Sequence, residues 1–137
     1  LDDPDYIERM KKDAIDAGVE DRLHVLGPVS EGEKGWYLEN CLAYVHPSLA
    51  EGFGAPVVEA MQFGKPLFLS ALTSLPEIGG DISFYFSPCD GQDMQRVFRE
   101  GMIKYEREKM AVVIIKRGMQ FDWNEKAKEY LKVYQLL

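Results

Sequence analysis

The decisive stretch runs His46-Pro47-Ser48-Leu49-Ala50-Glu51-Gly52-Phe53-Gly54-Ala55-Pro56-Val57-Val58-Glu59-Ala60-Met61. Before it, Leu42-Ala43-Tyr44-Val45 reads as a short apolar strand closed by His46-Pro47-Ser48. Glu51-Gly52-Phe53-Gly54 cannot be regular structure with glycines so placed, and reads as a loop. Ala55-Pro56 then opens a helix, since a first-turn proline forfeits no hydrogen bond there. That helix ends near Gly64, and Lys65-Pro66 leads into another strand, Leu67-Phe68-Leu69. Strand, glycine loop, helix and strand in this order make a β-α-β unit.

The pattern repeats outward. Downstream, Ser74-Leu75-Pro76-Glu77 starts a short helix ended by Gly79-Gly80, and Ser83-Phe84-Tyr85-Phe86 is a strand. From Gly91 the chain turns helical, with Met94, Val97, Phe98, Met102 and Tyr105 on one apolar face. The β-branched run in Met110 to Lys116 fits strand or helix and is assigned to helix. Asp122 with Glu125 opens a final helix, whose expected apolar stripe is Trp123, Ala127, Tyr130, Leu131 and Tyr134. Upstream, Ile7, Met10, Ala14 and Ala17 recur at helical spacing after Pro4, and Gly18 ends that helix. Leu23-His24-Val25-Leu26 reads as a further strand stopped by Gly27-Pro28. Ser30 with Glu33 forms a capping-box pattern before a helix with Trp36, Tyr37 and Leu38 as expected core contacts. Four strands alternating with helices predict one α/β domain with a Rossmann-like, doubly wound parallel sheet.

Composition bounds the function. The 137 residues suffice for one domain, and 46% are hydrophobic against 28% charged, an ordinary globular balance. A formal charge of −7 argues against nucleic acid as a partner. It does not exclude a small anion, because helix-start amides bind phosphate on acidic proteins too. Cys41 and Cys89 lack metal-ligand spacing and read as reduced, packed thiols of a cytoplasmic protein. A chain that opens at Leu1, directly into a helical segment, reads as a piece of something longer.

In open parallel sheets, ligands bind beyond the carboxyl ends of the strands. That rule selects Gly27-Pro28-Val29, the run from His46 to Pro56, the turn from Ser70 to Ser74, and the segment after Phe86. Glycines such as Gly52 and Gly54 let backbone approach a ligand, and the helix start behind them favours phosphate oxygens. Pro56 to Glu59 is about 4.5 Å of helix rise, so one ligand can meet both Glu51 and Glu59. Each carboxylate offers two acceptor oxygens, which suits vicinal hydroxyls of a ribose or hexose. The plainer reading makes Glu59 a dipole-compensating first-turn acid and Glu51 a solvated loop acid. His46 tempts a catalytic reading, but packing is the favoured one. Ser48 is expected to bond backbone within the turn, His24 to pack or face solvent, and the tryptophans to serve core or interface.

Taken together, Pro47-Ser48, Glu51-Gly52-Phe53-Gly54 and Glu59-Ala60-Met61, with seven residues between the acids, resemble retaining glycosyltransferase family 4. Gly64-Lys65-Pro66, Ser74-Leu75-Pro76-Glu77, Gly80-Asp81, Phe86-Ser87-Pro88 and Phe121-Asp122-Trp123 resemble it in the same order, over nearly the whole chain. The resemblance implies the C-terminal, donor-binding domain of a two-domain GT-B enzyme. Glu51 then matches the acid touching the donor sugar at the catalytic end, Glu59 the acid gripping the ribose, and Gly52, Phe53 and Gly54 the turn approaching sugar and diphosphate. Gly27, Pro28 and Val29 lie where the family places its nucleobase. It implies no metal or cofactor, the nucleoside-diphosphate sugar being a co-substrate, and an acceptor sugar or lipid-linked sugar held mainly by another domain. That other domain also governs any peripheral contact with a membrane.

Departures are specific. The family's phosphate-binding Arg and Lys come from its first strand–helix unit, to which nothing here corresponds, and Lys65 does not match them. Ala55 stands where leucine is more usual. The family's strand order, 3-2-1-4-5-6, implies that the first two strands are missing here. The expected four-stranded sheet then either closes with Leu23–Leu26 beside Leu42–Val45 or is completed from outside. A non-catalytic nucleotide-sugar-binding or interaction domain of the same fold is the rival. A redox Rossmann domain is the third possibility, but its Gly-x-Gly-x-x-Gly opening is absent here.

Overall fold

The computed structural model describes residues 3–135. It divides into two compact units, Leu1–Gly35 and Trp36–Leu137.

In the first unit, helix α1 (Pro4–Asp16) starts where expected: the Asp3 carboxylate accepts from the amides of Asp5 and Tyr6 at 3.1 and 3.2 Å. Gly18, left-handed at φ 65°, turns the chain after it. The predicted strand Leu23–Leu26 is not formed. Leu23 and Val25 are half-buried while His24 and Leu26 are exposed, so strand-type alternation is present. Alternation records a two-sided environment, however, and a strand also needs a neighbour to exchange backbone hydrogen bonds with. This unit holds no strand among its described residues. Helix α2 (Glu31–Asn40), whose residues from Trp36 on belong to the second unit, opens with the predicted capping box: Glu33 accepts from the Ser30 amide at 2.8 Å, and the Glu33 amide donates to Ser30 Oγ at 3.3 Å. Of its three expected core contacts only Leu38 is buried; Trp36 and Tyr37 are exposed.

The second unit is a three-stranded parallel sheet in the order β1 (Tyr44–His46), β2 (Leu67–Ser70), β3 (Phe84–Phe86). The closed four-stranded sheet is therefore absent, and β1 is an edge. Helices cover both faces, as the doubly wound reading requires. Leu67 and Leu69 point into a core with Val57 and Met61 of α3 (Ala55–Gln62), Leu75 and Ile78 of α4 (Leu75–Gly79), and Ile114 of α6 (Ala111–Gly118). Phe68 and Phe86 face the opposite way onto Val97, Phe98 and Met102 of α5 (Gly91–Glu108). Gly101 allows that approach, since a Cβ there would lie 2.6 Å from Phe68. The ambiguous run 110–116 is helical from Ala111: Met110 and Ile114 are buried while Val112 between them is exposed, which the two-residue alternation of a strand would not give.

The last helix, α7 (Trp123–Tyr134), is capped by Asp122, which accepts from the Asn124 amide at 2.8 Å. Its expected buried stripe is not buried: Trp123 is 73% and Tyr130 66% exposed, and Leu131 and Tyr134 are exposed as well. Cys41 is half-buried and Cys89 exposed, so only the first packs as expected. Among the described residues no helix is long and apolar enough to cross a membrane.

Candidate functional site

Three carboxyl ends of strands, β1, β2 and β3, sit side by side in register, His46 opposite Leu69 and Ser70 opposite Phe86. The loop from β1 to α3 leaves that edge and carries Glu51. Its backbone is clasped by the loop after β2, twenty-odd residues on. The Glu51 amide donates to Thr73 Oγ1 at 3.1 Å, and Ser74 Oγ donates to the carbonyls of Glu51 and Phe53, each at 3.2 Å. Ser70 Oγ donates to the Ser48 carbonyl, and Ser48 Oγ to that of Ala50 at 3.1 Å, the turn contact expected of Ser48. Thr73 reaches its position with φ 52°, a left-handed conformation uncommon for a β-branched residue.

The Glu51 side chain turns back to β1. His46 Nε2 lies 2.8 Å from Glu51 Oε1, and His46 Nδ1 lies 2.9 Å from Tyr44 Oη. Both ring nitrogens of His46 are thus engaged, as a mostly buried imidazole requires. Hydrogen bonding from His46, then from Ser48, holds the Glu51 carboxyl below the usual carboxylate range. Burial pushes the Tyr44 phenol up to about 12, with the nearby charges of Glu59 and then Glu51 adding to it.

Glu59 sits half-buried on α3 and lines a concavity of roughly 430 Å³ together with Phe53, Val58, Gln62, Asp122 and Trp123. The Phe53 ring packs against Phe121 and Trp123, with centroids 5.9 and 6.0 Å away, so its side chain serves the hold of α7 on this loop. The two glycines do different work. Gly54 is left-handed at φ 92° and caps α3, where a Cβ would press on Leu75 at 3.2 Å. A Cβ at Gly52 would meet nothing within 4 Å, so the fold itself does not require glycine there.

Gly27, Pro28 and Val29 are exposed residues of the first unit, with Gly27 left-handed at φ 66°. The segment after Phe86 caps α5: Asp90 accepts from the amides of Gln92 and Asp93 at 3.0 Å each. His24 is exposed. Thr73 and Ser74 lie in the turn from Ser70 to Ser74 that the sheet rule selects, whereas Tyr44 lies outside every selected segment. Tyr44 was legible in principle, since positions i and i+2 of a strand share a face with His46.

A sequence model of the family "Glycosyl transferases group 1" matches residues 2–120. The chain belongs to that family. It is 29% identical over 119 residues to O-antigen chain mannosyltransferase B of Escherichia coli, covering 84% of this chain and 30% of that protein. It is 32% identical over 123 residues to the serotype-specific mannosyltransferase WbdA of Escherichia coli, covering 88% of this chain and 15% of that protein. The chain thus spans less than a third of these relatives. Among solved structures it superimposes on the catalytic domain of starch synthase IV from Arabidopsis thaliana, bound to ADP and acarbose. The TM-score is 0.73 at 18% identity, over 98% of this chain and 30% of that one. That likeness establishes the fold, a GT-B Rossmann-like domain.

Proposed function

We propose that this chain is the donor-binding part of a retaining glycosyltransferase that moves a hexose from a nucleoside-diphosphate sugar to a sugar or lipid-linked acceptor. Mannose is the hexose named for both bacterial relatives, which makes it the first donor sugar to test. The observation that carries this reading is that His46, the last residue of β1, lies 2.8 Å from Glu51 in the loop that leads directly into α3, the helix that carries Glu59. Beside them the backbone at Gly52 is open to a ligand.

Glu51 binds hydroxyls of the sugar and Glu59 those of the ribose. Gly52 to Gly54 bring backbone to the sugar and diphosphate, with the positive end of α3 behind them. Gly27, Pro28 and Val29 receive the nucleobase. Neither acid acts as a glycosidase-type proton donor, because both are engaged by donor hydroxyls. The rest of the enzyme supplies the acceptor site and any membrane contact, and the reading places the reaction in the cytoplasm without a metal.

Calorimetry on the full-length protein tests the assignment. Glu59→Ala should weaken nucleoside diphosphate binding by roughly 1.5–3 kcal/mol, the value of a hydrogen bond to a charged group. Glu51→Ala should leave that affinity nearly unchanged while transfer falls. Equal losses of nucleotide affinity in both variants would sink the division of labour.

A further inference from the structure

We propose that His46 is a positioning residue for Glu51, braced from behind by Tyr44, and that it sets the direction in which the carboxylate meets the donor sugar. The proposal rests on the assignment of Glu51 to the sugar hydroxyls.

Tyr44, His46 and Glu51 form an unbroken chain of side chains, with contacts of 2.9 and 2.8 Å. Its first two members belong to β1, which is bonded into the sheet, and their rings stack with centroids 5.8 Å apart at 17°. Its last member belongs to a loop. The imidazole therefore carries the rigidity of the sheet to a side chain whose own backbone is irregular, which is how supporting groups keep binding groups in place. His46 and Glu51 expose only 17% and 27% of their side chains, so the bond between them is shielded from water on most sides.

Chemistry orders the chain. An ionised carboxylate only accepts, so Nε2 of His46 carries the proton in this pair. With the imidazole neutral, Nδ1 accepts, and the Tyr44 hydroxyl donates to it. Burial and two nearby carboxylates keep that phenol protonated, as donation requires. Tying Oε1 of Glu51 in this way fixes the plane of the carboxylate and so the aim of its remaining lone pairs.

The test compares Tyr44→Phe, His46→Phe, His46→Gln and Glu51→Ala in the full-length protein. Phenylalanine keeps the bulk of the imidazole but offers no donor. In His46→Phe, nucleotide-sugar affinity and transfer kcat/KM should fall about 10- to 100-fold, as for loss of a charge-assisted hydrogen bond. Nucleoside diphosphate affinity, which does not involve Glu51, should stay within about twofold. His46→Gln, which retains a terminal N–H, should restore most of the loss, and Tyr44→Phe should cost roughly two- to fivefold in kcat/KM. Unchanged transfer in His46→Phe, with Glu51→Ala defective, overturns the proposal and leaves the donor-site reading standing. Unchanged transfer in Glu51→Ala overturns that reading and the proposal with it. A matching loss of nucleoside diphosphate affinity in His46→Phe also overturns it, since that is what a general structural role produces. Should His46→Phe not fold, unchanged kcat/KM in Tyr44→Phe overturns it.

Discussion

His46 Nε2 lies 2.8 Å from Oε1 of Glu51, so the last residue of strand β1 is tied directly to the first acid of the loop that follows. Partly buried, that bond connects the rigid and irregular parts of the site.

Its first consequence is a titration. The Glu51 carboxyl should ionise below the ordinary carboxylate value of about 4.3, as read by carbon NMR of the labelled side chain. Because its folded pKa is depressed, its stabilising contribution is present above the unfolded pKa and lost as pH falls through the folded one. His46→Phe should raise the Glu51 pKa, His46 being the largest cause of the depression. A value unmoved in that variant would contradict the assignment.

Tyr44 makes the opposite prediction. Its phenol is raised to about 12, so its contribution to stability is intact below the unfolded pKa and lost as pH rises through the folded one. In an alkaline absorbance titration Tyr44 should be among the last tyrosines to ionise. Denaturant midpoints measured from about pH 10 upward should fall more steeply for the wild type than for Tyr44→Phe.

Ser74 holds two carbonyls of the Glu51 loop from a position outside it. Ser74→Ala should cost about 1–2 kcal/mol of stability by chemical denaturation, the range for lost hydrogen bonds with partners that regain some water. Transfer should fall as well, while nucleoside diphosphate affinity changes less than in Glu59→Ala. A variant with wild-type transfer would show that the clasp is dispensable.

Gly101 and Gly91 form a matched pair on α5. A Cβ at Gly101 would sit 2.6 Å from Phe68 and 2.8 Å from Phe84, whereas one at Gly91 meets nothing within 4 Å. Gly101→Ala should destabilise by roughly 1–3 kcal/mol through overpacking. Gly91→Ala should be neutral or slightly stabilising. Equal denaturation midpoints for the two would contradict the packing of α5 on the sheet.

Much of this fold was legible because the chain punctuates itself. Gly54-Ala55-Pro56 and Gly64-Lys65-Pro66 bracket α3 through backbone geometry that other residues adopt poorly, and the structure starts and stops the helix there. The failures share a cause. Leu23–Leu26 alternates as a strand would, and Trp123, Tyr130 and Leu131 recur as a buried stripe would, but periodicity says only that two faces differ. Whether another element covers one of them is a property of the whole molecule. Glu51 and Glu59 could be picked out because their spacing is local. The turn from Ser70 to Ser74 could be selected by its place after a strand, but not the roles of Thr73 and Ser74, whose partners are backbone atoms more than twenty residues back in the chain that no side-chain pattern announces.

Helix α4 has a grip at each end. At its start Ser74 holds the carbonyls of Glu51 and Phe53; at its finish Arg117 of α6 donates to the carbonyls of Ile78 at 3.1 Å and Glu77 at 2.6 Å. The guanidinium also lies over the Phe121 ring at 5.4 Å, and Phe121 touches Phe53. With five residues, α4 is only about 7.5 Å long and too short to bend. It behaves as a strut. A push on α6 at Arg117 has two routes to the Glu51 loop, through the strut and through the edge-to-face contact of Phe121 with Phe53. The aim of the Glu51 carboxylate thereby becomes mechanically answerable to a helix remote from it in sequence.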